Sequence, residues 1–174
     1  LPPWAANSLK LACRFSWSAI HSSSLRSVSF KMLQSFNMHS DKITGVQTRL
    51  CSDTIFATSF DGAVSENRYV DGTSKMLPGI LAPATCISCT EHSGSGGESV
   101  ELVAVGLKTA DVFVWSRRNH MESWIGPVGL GDVSTSTPVR SISFLPQQCS
   151  LLPPSTWALV AGDGDGSLHM LCVS

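Results

Sequence analysis

Short apolar runs alternating with polar residues, each closed by a small-residue turn, recur three times along the chain. In the first, residues 43–50 alternate, residues 54–60 are a mostly apolar run, Asp61-Gly62 makes a turn, and residues 63–70 form a third segment. In the second, residues 85–89 precede a Gly/Ser-bearing spacer at 91–101. The apolar run 102–107, a turn at 108–111 and the segment 112–115 follow it. In the third, residues 139–144 lead through a spacer at 145–156 to the run 157–162, the turn Asp165-Gly166 and the segment 167–171. Alternation with period two predicts strands that bury one face, and a continuous apolar run of six or so residues predicts a strand covered on both. Asp-Gly suits a tight hairpin because glycine accepts positive φ. No segment sustains a 3.6-residue apolar period with helix caps; the nearest, residues 9–20, is short and broken by serines. The pattern predicts an all-β chain built from one repeated sheet module.

Composition narrows what such a chain does. Of 174 residues, 43% are hydrophobic and only 14% charged, with a net charge of −1, and 28 serines fill much of the polar surface. That balance excludes polyanion binding driven by bulk charge. No apolar run is long enough for a transmembrane helix, so no membrane partner is expected. Residues 1–40 carry Lys10, Arg14, Arg26 and Lys31 and no acid before Asp41. This composition is also that of an organelle transit peptide, although the alternation at 27–36 favours a structural role. The first residue is Leu1, which is read as the mark of a processed chain or of a fragment. There is no Asn-x-Ser/Thr sequon, and the six cysteines are read as reduced, in keeping with an intracellular, nuclear or cytoplasmic, setting.

With the repeat in view, the residues resemble the WD-repeat β-propellers, whose blades are four-stranded sheets of roughly 40 residues. Met38-His39-Ser40-Asp41-Lys42-Ile43 resembles the Gly-His loop that opens such a repeat, with Met38 in place of the glycine. Asp61 sits where the family has its tight-turn aspartate, and Val114-Trp115-Ser116 resembles the Trp-Asp signature, with Ser116 replacing the aspartate. The resemblance implies a buried hydrogen-bond network of loop histidine, turn aspartate, a strand hydroxyl and the tryptophan, carried here by His39, Asp61 and Trp115. Within the first repeat only His39 and Asp61 match, since Asn67 stands at the tryptophan position; Leu171-Cys172 holds the signature place in the last repeat. A narrower similarity, in residues 102–107, Asp111-Val112 and 161–166, is to a family of large multi-propeller scaffolds. That family includes the damaged-DNA-binding adaptor of ubiquitin ligases, a splicing-factor subunit and the large cleavage/polyadenylation subunit.

The resemblance implies blades at about 39–81, 82–133 and 134–174, after an N-terminal extension or partial blade at 1–36. Three to four blades do not close the common seven-bladed ring, and unclosed sheets leave reactive edges. The chain is therefore expected to be part of a larger propeller, to be completed by a partner, or to have its last sheet zipped by residues 27–36.

Chemistry-bearing residues are sparse. Cys86-Ile87-Ser88-Cys89 has metal-motif spacing but lacks a second ligand pair, and residues three apart on a strand face opposite ways. The spacer His92-Ser93-Gly94-Ser95-Gly96-Gly97 contains neither a nucleophile elbow nor a phosphate cradle. Asp163-Gly164-Asp165-Gly166 lacks the later acids of a calcium loop and is read as a hairpin turn. His21, His39, His120 and His169 are scattered. No catalytic residue, cofactor or metal ligand is expected. Arg117-Arg118-Asn119-His120 is placed in the connection after a third strand. Arg117, Arg118, Trp124 and Arg140 are the candidate partner contacts, because Arg and Trp are enriched at interface hot spots. A rigid, weakly charged surface suits lasting contacts inside an assembly. The expected function is a non-catalytic scaffold that binds other protein subunits of a multi-subunit complex. The alternatives are an RNA-associated subunit of an RNA-processing or ubiquitin-ligase assembly, contacting phosphate through the arginines, and an enzyme that uses the channel of the propeller.

Overall fold

A computed structural model describes residues 9–11, 32–49, 52–80, 82–93, 99–119, 121–130, 137–146 and 156–173. The N-terminal reading at 1–36, most of the 145–156 spacer, His21 and His120 lie largely or wholly outside these residues. The chain is all-β, and no helix occurs among the described residues, so none is long and apolar enough to cross a membrane.

Two short strands, β1 (Leu9–Leu11) and β2 (Gln34–Phe36), pair antiparallel with each other. The first large sheet is a four-stranded antiparallel meander: β3 (Ile43–Thr48), β4 (Thr54–Ser59), β5 (Val64–Arg68) and β6 (Ser74–Met76). The second repeats it with β7 (Ala84–Ser93), β8 (Ser99–Leu107), β9 (Asp111–Arg118) and β10 (Met121–Gly129). The third has β11 (Val139–Phe144), β12 (Trp157–Asp163) and β13 (Leu168–Val173). These sheets lie within the three segments the sequence pattern marks. The expectation that the strand ending at Phe36 zips the last sheet is corrected: β2 pairs with β1 instead.

The sheets are copies in register as well as in order. Each first pair breaks its ladder at the same place, between Ile43 and Gly45, Ala84 and Cys86, and Val139 and Ser141. The looped-out residues are Thr44, Thr85 and Arg140. The Thr44 hydroxyl donates to the Thr58 carbonyl at 3.2 Å and the Thr85 hydroxyl to that of Gly106 at 2.9 Å, so a side chain replaces the lost ladder bond. After each second strand the chain turns through a left-handed residue at one position: Gly62 (φ 81°), Ala110 (φ 67°) and Gly166 (φ 86°). Only the middle turn puts a Cβ there, which an L-residue tolerates poorly. Ala110→Gly is therefore expected to stabilise the fold by about 0.5–1 kcal/mol in chemical denaturation, the backbone freedom of glycine offsetting part of the relief.

The second strands are covered on both faces, as their apolar runs require: all of β4 is buried, and so is β8 after its first residue. One core cluster joins Phe56, Val64 and Leu77 of the first sheet to Ile87, Val103, Val105, Leu107 and Trp115 of the second. Another joins Leu102, Ala104, Val112 and Val114 on the opposite face of the second sheet to Val139, Ile142, Trp157, Leu159 and Ala161 of the third. The second sheet thus turns one face to the first and the other to the third, and first strand lies beside first strand. The Thr85 hydroxyl also donates to the Val139 carbonyl, and the Phe144 amide to the Ser88 hydroxyl at 3.3 Å, which ties β7 to β11. A Cβ on Gly106 would lie 2.6 Å from both Cys86 Sγ and Val139 Cγ1. Gly106→Ala must therefore push two sheets apart, and a loss of about 1–3 kcal/mol in denaturant midpoint analysis is the expected result.

Two sequence expectations are corrected in the second sheet. The spacer 91–101 is mostly strand, because β7 and β8 continue to Ser93 and Ser99 and place Glu91 opposite Glu101. Likewise Arg117 and Arg118 are not in a connection: they are the last residues of β9, and the chain turns at Asn119 (φ 47°). Both extensions were hidden because a charged strand end has the composition of a loop; the charges are matched across the sheet interface instead.

Candidate functional site

Two polar clusters stand out, one inside the first sheet and one between the first and second. The first begins at His39, which is buried just before β3. Its Nε2 lies 2.8 Å from the Ser65 hydroxyl on β5, and its Nδ1 lies 3.4 Å from Asp61 Oδ1, near enough for attraction but without hydrogen-bond geometry. Ser65 also accepts from Asn67 Nδ2 at 2.8 Å, and Asn67 Oδ1 accepts from the Ser74 hydroxyl at 2.9 Å. The result is a hydrogen-bonded chain, His39–Ser65–Asn67–Ser74, that reaches the outer strand, with Asp61 of the turn beside its histidine end. Asn67 pairs with Ile55 in the ladder as Trp115 pairs with Val103, so it occupies the tryptophan position of its sheet. Its amide continues the chain of hydrogen bonds where an indole would end it.

Aspartate, histidine and serine in this order have the connectivity of a hydrolase triad. Ser65 is fully buried and already accepts from Asn67, so a substrate carbonyl has no approach to its hydroxyl. What the arrangement does is fix the turn. Burial works against the Asp61 charge, but the Ser40 amide at 2.8 Å, the Ala63 amide at 2.9 Å and the field of His39 outweigh it and hold the carboxyl below the ordinary range. A depressed carboxyl adds stability above its ordinary pKa, near 3.8, and loses it as pH falls through the lowered value. Asp61→Asn is thus expected to cost on the order of 1 kcal/mol at pH 7. In acid the gap between variant and parent closes; a gap unchanged between pH 7 and pH 3 contradicts the assignment.

The second cluster gathers where β5, β8 and β9 meet. Glu101, almost wholly buried, accepts from Arg49 Nη1 at 2.8 Å and from Arg117 Nη1 at 3.0 Å. Arg117 also grips both oxygens of Glu66 through Nη1 and Nη2 and reaches Glu122 Oε1 at 3.2 Å through Nε. Lys75 Nζ lies 2.7 Å from Glu122 Oε1, and Arg49 Nε 3.3 Å from Glu91 Oε2. Burial disfavours the Glu122 charge, yet Lys75 and Arg117 hold this carboxyl below the usual range. The guanidinium of Arg117 lies over the Trp115 ring, 4.6 Å from its centre, and Phe56 packs against the same ring at 6.3 Å. Polar and apolar contacts therefore clamp one pair of sheets at one place.

The sequence-derived residues fall into separate environments. His39 and Asp61 come together; Trp115 belongs to the next sheet, and its buried Nε1 has no partner. Arg117 spends its charge inside the chain on three carboxylates. Trp124 donates to the Pro78 carbonyl at 3.1 Å and meets Phe113 edge-on at 6.1 Å, so it too bridges the first two sheets. Arg118 and Arg140 are exposed, Arg118 at the end of β9 and Arg140 at the bulge of β11. Sequence reasoning missed Ser65, Glu66 and Glu101. Their signal was polar side chains spaced inside apolar strands, legible only once the facing sheet is known.

Cys86 and Cys89 face opposite ways: Cys86 Sγ lies 3.8 Å from the Val139 carbonyl toward the third sheet, and Cys89 Sγ 3.7 Å from that of Thr48 toward the first. Burial raises both thiols, that of Cys89 to about 11, so neither is a ready thiolate. Asp163 accepts from the amides of Asp165 at 3.0 Å and Ser167 at 2.9 Å and from His169 Nε2 at 2.9 Å, which closes a hairpin turn. Among the described residues no cluster of His, Cys, Asp and Glu has metal-binding geometry.

No protein family profile matches the chain, and no curated protein sequence does. Solved structures do resemble it. A computationally designed protein, Ika4, aligns over 83% of this chain and 99% of its own at 13% identity, with a TM-score of 0.41. U3-55K aligns over 80% of this chain at 14% identity and a TM-score of 0.37, and the chain spans about half, 52%, of that structure.

Proposed function

We propose that this chain is a run of WD-repeat-like β-propeller blades that serves as a non-catalytic scaffold for protein–protein contacts in a multi-subunit assembly, nuclear or cytoplasmic. The observation that carries the reading is the repetition itself: three antiparallel sheets share the same bulge and the same left-handed turn position, and the first two pack on their successors in the same way. Stacked sheets of this kind make a stiff body that presents loops and edges at fixed spacing, which suits binding. The His39–Asp61–Ser65 cluster supports the WD-repeat comparison as a structural network. The RNA reading is weakened by Arg117, which three carboxylates neutralise.

Affinity purification of the tagged chain from its source, followed by native mass measurement, tests the proposal. Recovery in fixed stoichiometry with other proteins is expected. A chain that comes through alone, with no co-purifying subunit at physiological salt, overturns it.

A further inference from the structure

Four Asp-Gly dipeptides punctuate the chain, at 61–62, 71–72, 163–164 and 165–166. Each sets a carboxyl beside an amide that no side chain shields, and that pair is self-reactive. The glycine nitrogen closes on the aspartate Cγ: a C–N bond forms, a carboxyl oxygen leaves as water with the amide proton, and a succinimide results. Water then opens the ring. Opening at the α-carbonyl breaks the original peptide bond and leaves the chain running through Cγ, an isoaspartate of unchanged mass. Closure needs a carboxyl that is not held elsewhere, an amide that is not held elsewhere, and room to turn.

Three of the four sites fail at least one of these conditions. The Asp61 carboxylate is held by the Ser40 and Ala63 amides, and the Gly62 amide donates to the Ser59 carbonyl at 3.1 Å. A Cβ on Gly62 would lie 2.8 Å from the Ile80 carbonyl oxygen, so this turn is also packed in. Asp71 accepts from the Thr73 hydroxyl at 2.7 Å and the Thr73 amide at 3.0 Å and pairs with Arg68 at 3.1 Å, and the Gly72 amide donates to the Arg68 carbonyl at 3.0 Å. Asp163 is held through both oxygens, by His169 on one and by the Asp165 and Ser167 amides on the other. The bonds from Thr73 to Asp71 and from His169 to Asp163 hold these two carboxyls below the ordinary range, which depletes the neutral acid that closes the ring.

Asp165-Gly166 meets all three conditions. Both residues are exposed at the tip of the β12–β13 hairpin. The Asp165 amide donates to Asp163 Oδ1, but the Asp165 carboxylate has no hydrogen-bond or ion-pair partner among the described residues, and neither has the Gly166 amide. A Cβ on Gly166 would meet no atom within 4 Å, so the turn has space to close a ring. We infer that Asp165 is the residue at which the folded chain isomerises to isoaspartate, leaving the freed α-carboxylate in solvent, open to a protein-carboxyl methyltransferase. The change adds one backbone atom to the turn that pairs Gly162 with Leu168 and loosens the hold of β12 on β13.

Ageing of the purified chain at neutral pH tests this. Electron-transfer fragmentation of its peptides locates the isoaspartate, and methyl transfer from S-adenosylmethionine by an isoaspartyl methyltransferase counts it. In the folded chain isoaspartate at Asp165 is expected to exceed that at each other Asp-Gly site by about tenfold, the weight of one retained hydrogen bond. In guanidinium chloride the four sites are expected to age alike, since nothing then holds the other three. Asp165→Glu, whose longer side chain would need a six-membered ring, is expected to remove most methyl acceptance while the far-UV dichroism stays that of the parent. An even spread over the four sites in the folded chain overturns the inference. So does a folded chain that keeps Asp165 intact while the unfolded chain isomerises there.

Discussion

Trp115→Ala is expected to lower the unfolding free energy by about 3–5 kcal/mol, the largest single-residue effect in this molecule. Trp115 is the largest fully buried side chain among the described residues, and three contacts end on it. Phe56 of the preceding sheet packs against its ring, the guanidinium of Arg117 lies over it, and Lys75 Nζ stands 5.9 Å from its centre. Removal leaves a cavity that β8 and β9 cannot collapse into, since their ladder fixes the backbone on either side. It also strips Arg117 of the ring that shields one side of its charge. Trp115→Phe separates the causes: it keeps an aromatic face and deletes an indole nitrogen that has no partner, so its loss is expected to be less than half as large. Equilibrium urea unfolding followed by far-UV dichroism reads both. Losses below 1 kcal/mol for alanine would contradict the placement of this residue at the interface.

Glu101→Ala is expected to cost about 3 kcal/mol, because it leaves two guanidinium groups short of a buried partner. Arg117 keeps Glu66 and Glu122, and Arg49 keeps Glu91, which holds the loss below that of the tryptophan. Two further readouts distinguish this network from ordinary surface pairs. The loss is expected to change little between low and high salt, since Glu101 is withdrawn from water. In a double-mutant cycle with Arg117→Ala the costs are expected to be non-additive by about 1 kcal/mol or more. Additive, salt-sensitive losses of a few tenths would mean that the charges meet in solvent.

The strands were legible because a half-buried strand must alternate and a doubly covered one must be apolar; residues 54–59, 102–107 and 157–162 show this without a structure. The turns were legible at Asp61-Gly62 and Asp165-Gly166, where glycine announces positive φ, and less so at Ala110, which adopts it against its Cβ. What stayed hidden was polar matter inside the sheet stack. Glu91, Glu101 and Arg117 look like a loop, since charge on a strand is costly unless a facing sheet supplies the opposite charge, and Arg49, Glu66 and Lys75 are remote in sequence. Of the histidine cluster, His39 and Asp61 were visible from loop and turn spacing. Ser65 was not, because one serine among 28 carries no signal until β5 places it against the histidine.

Nuclear Overhauser contacts across the sheet interfaces test the central claim most directly. If each sheet module stacks its face on the next, the Gly45 α-protons must see the Ile87 methyls, and the Gly106 α-protons the Val139 methyls. The account predicts both cross-peaks in the same spectrum as the antiparallel ladders. Intact ladders with neither cross-peak would mean three sheets that do not stack, and would contradict it.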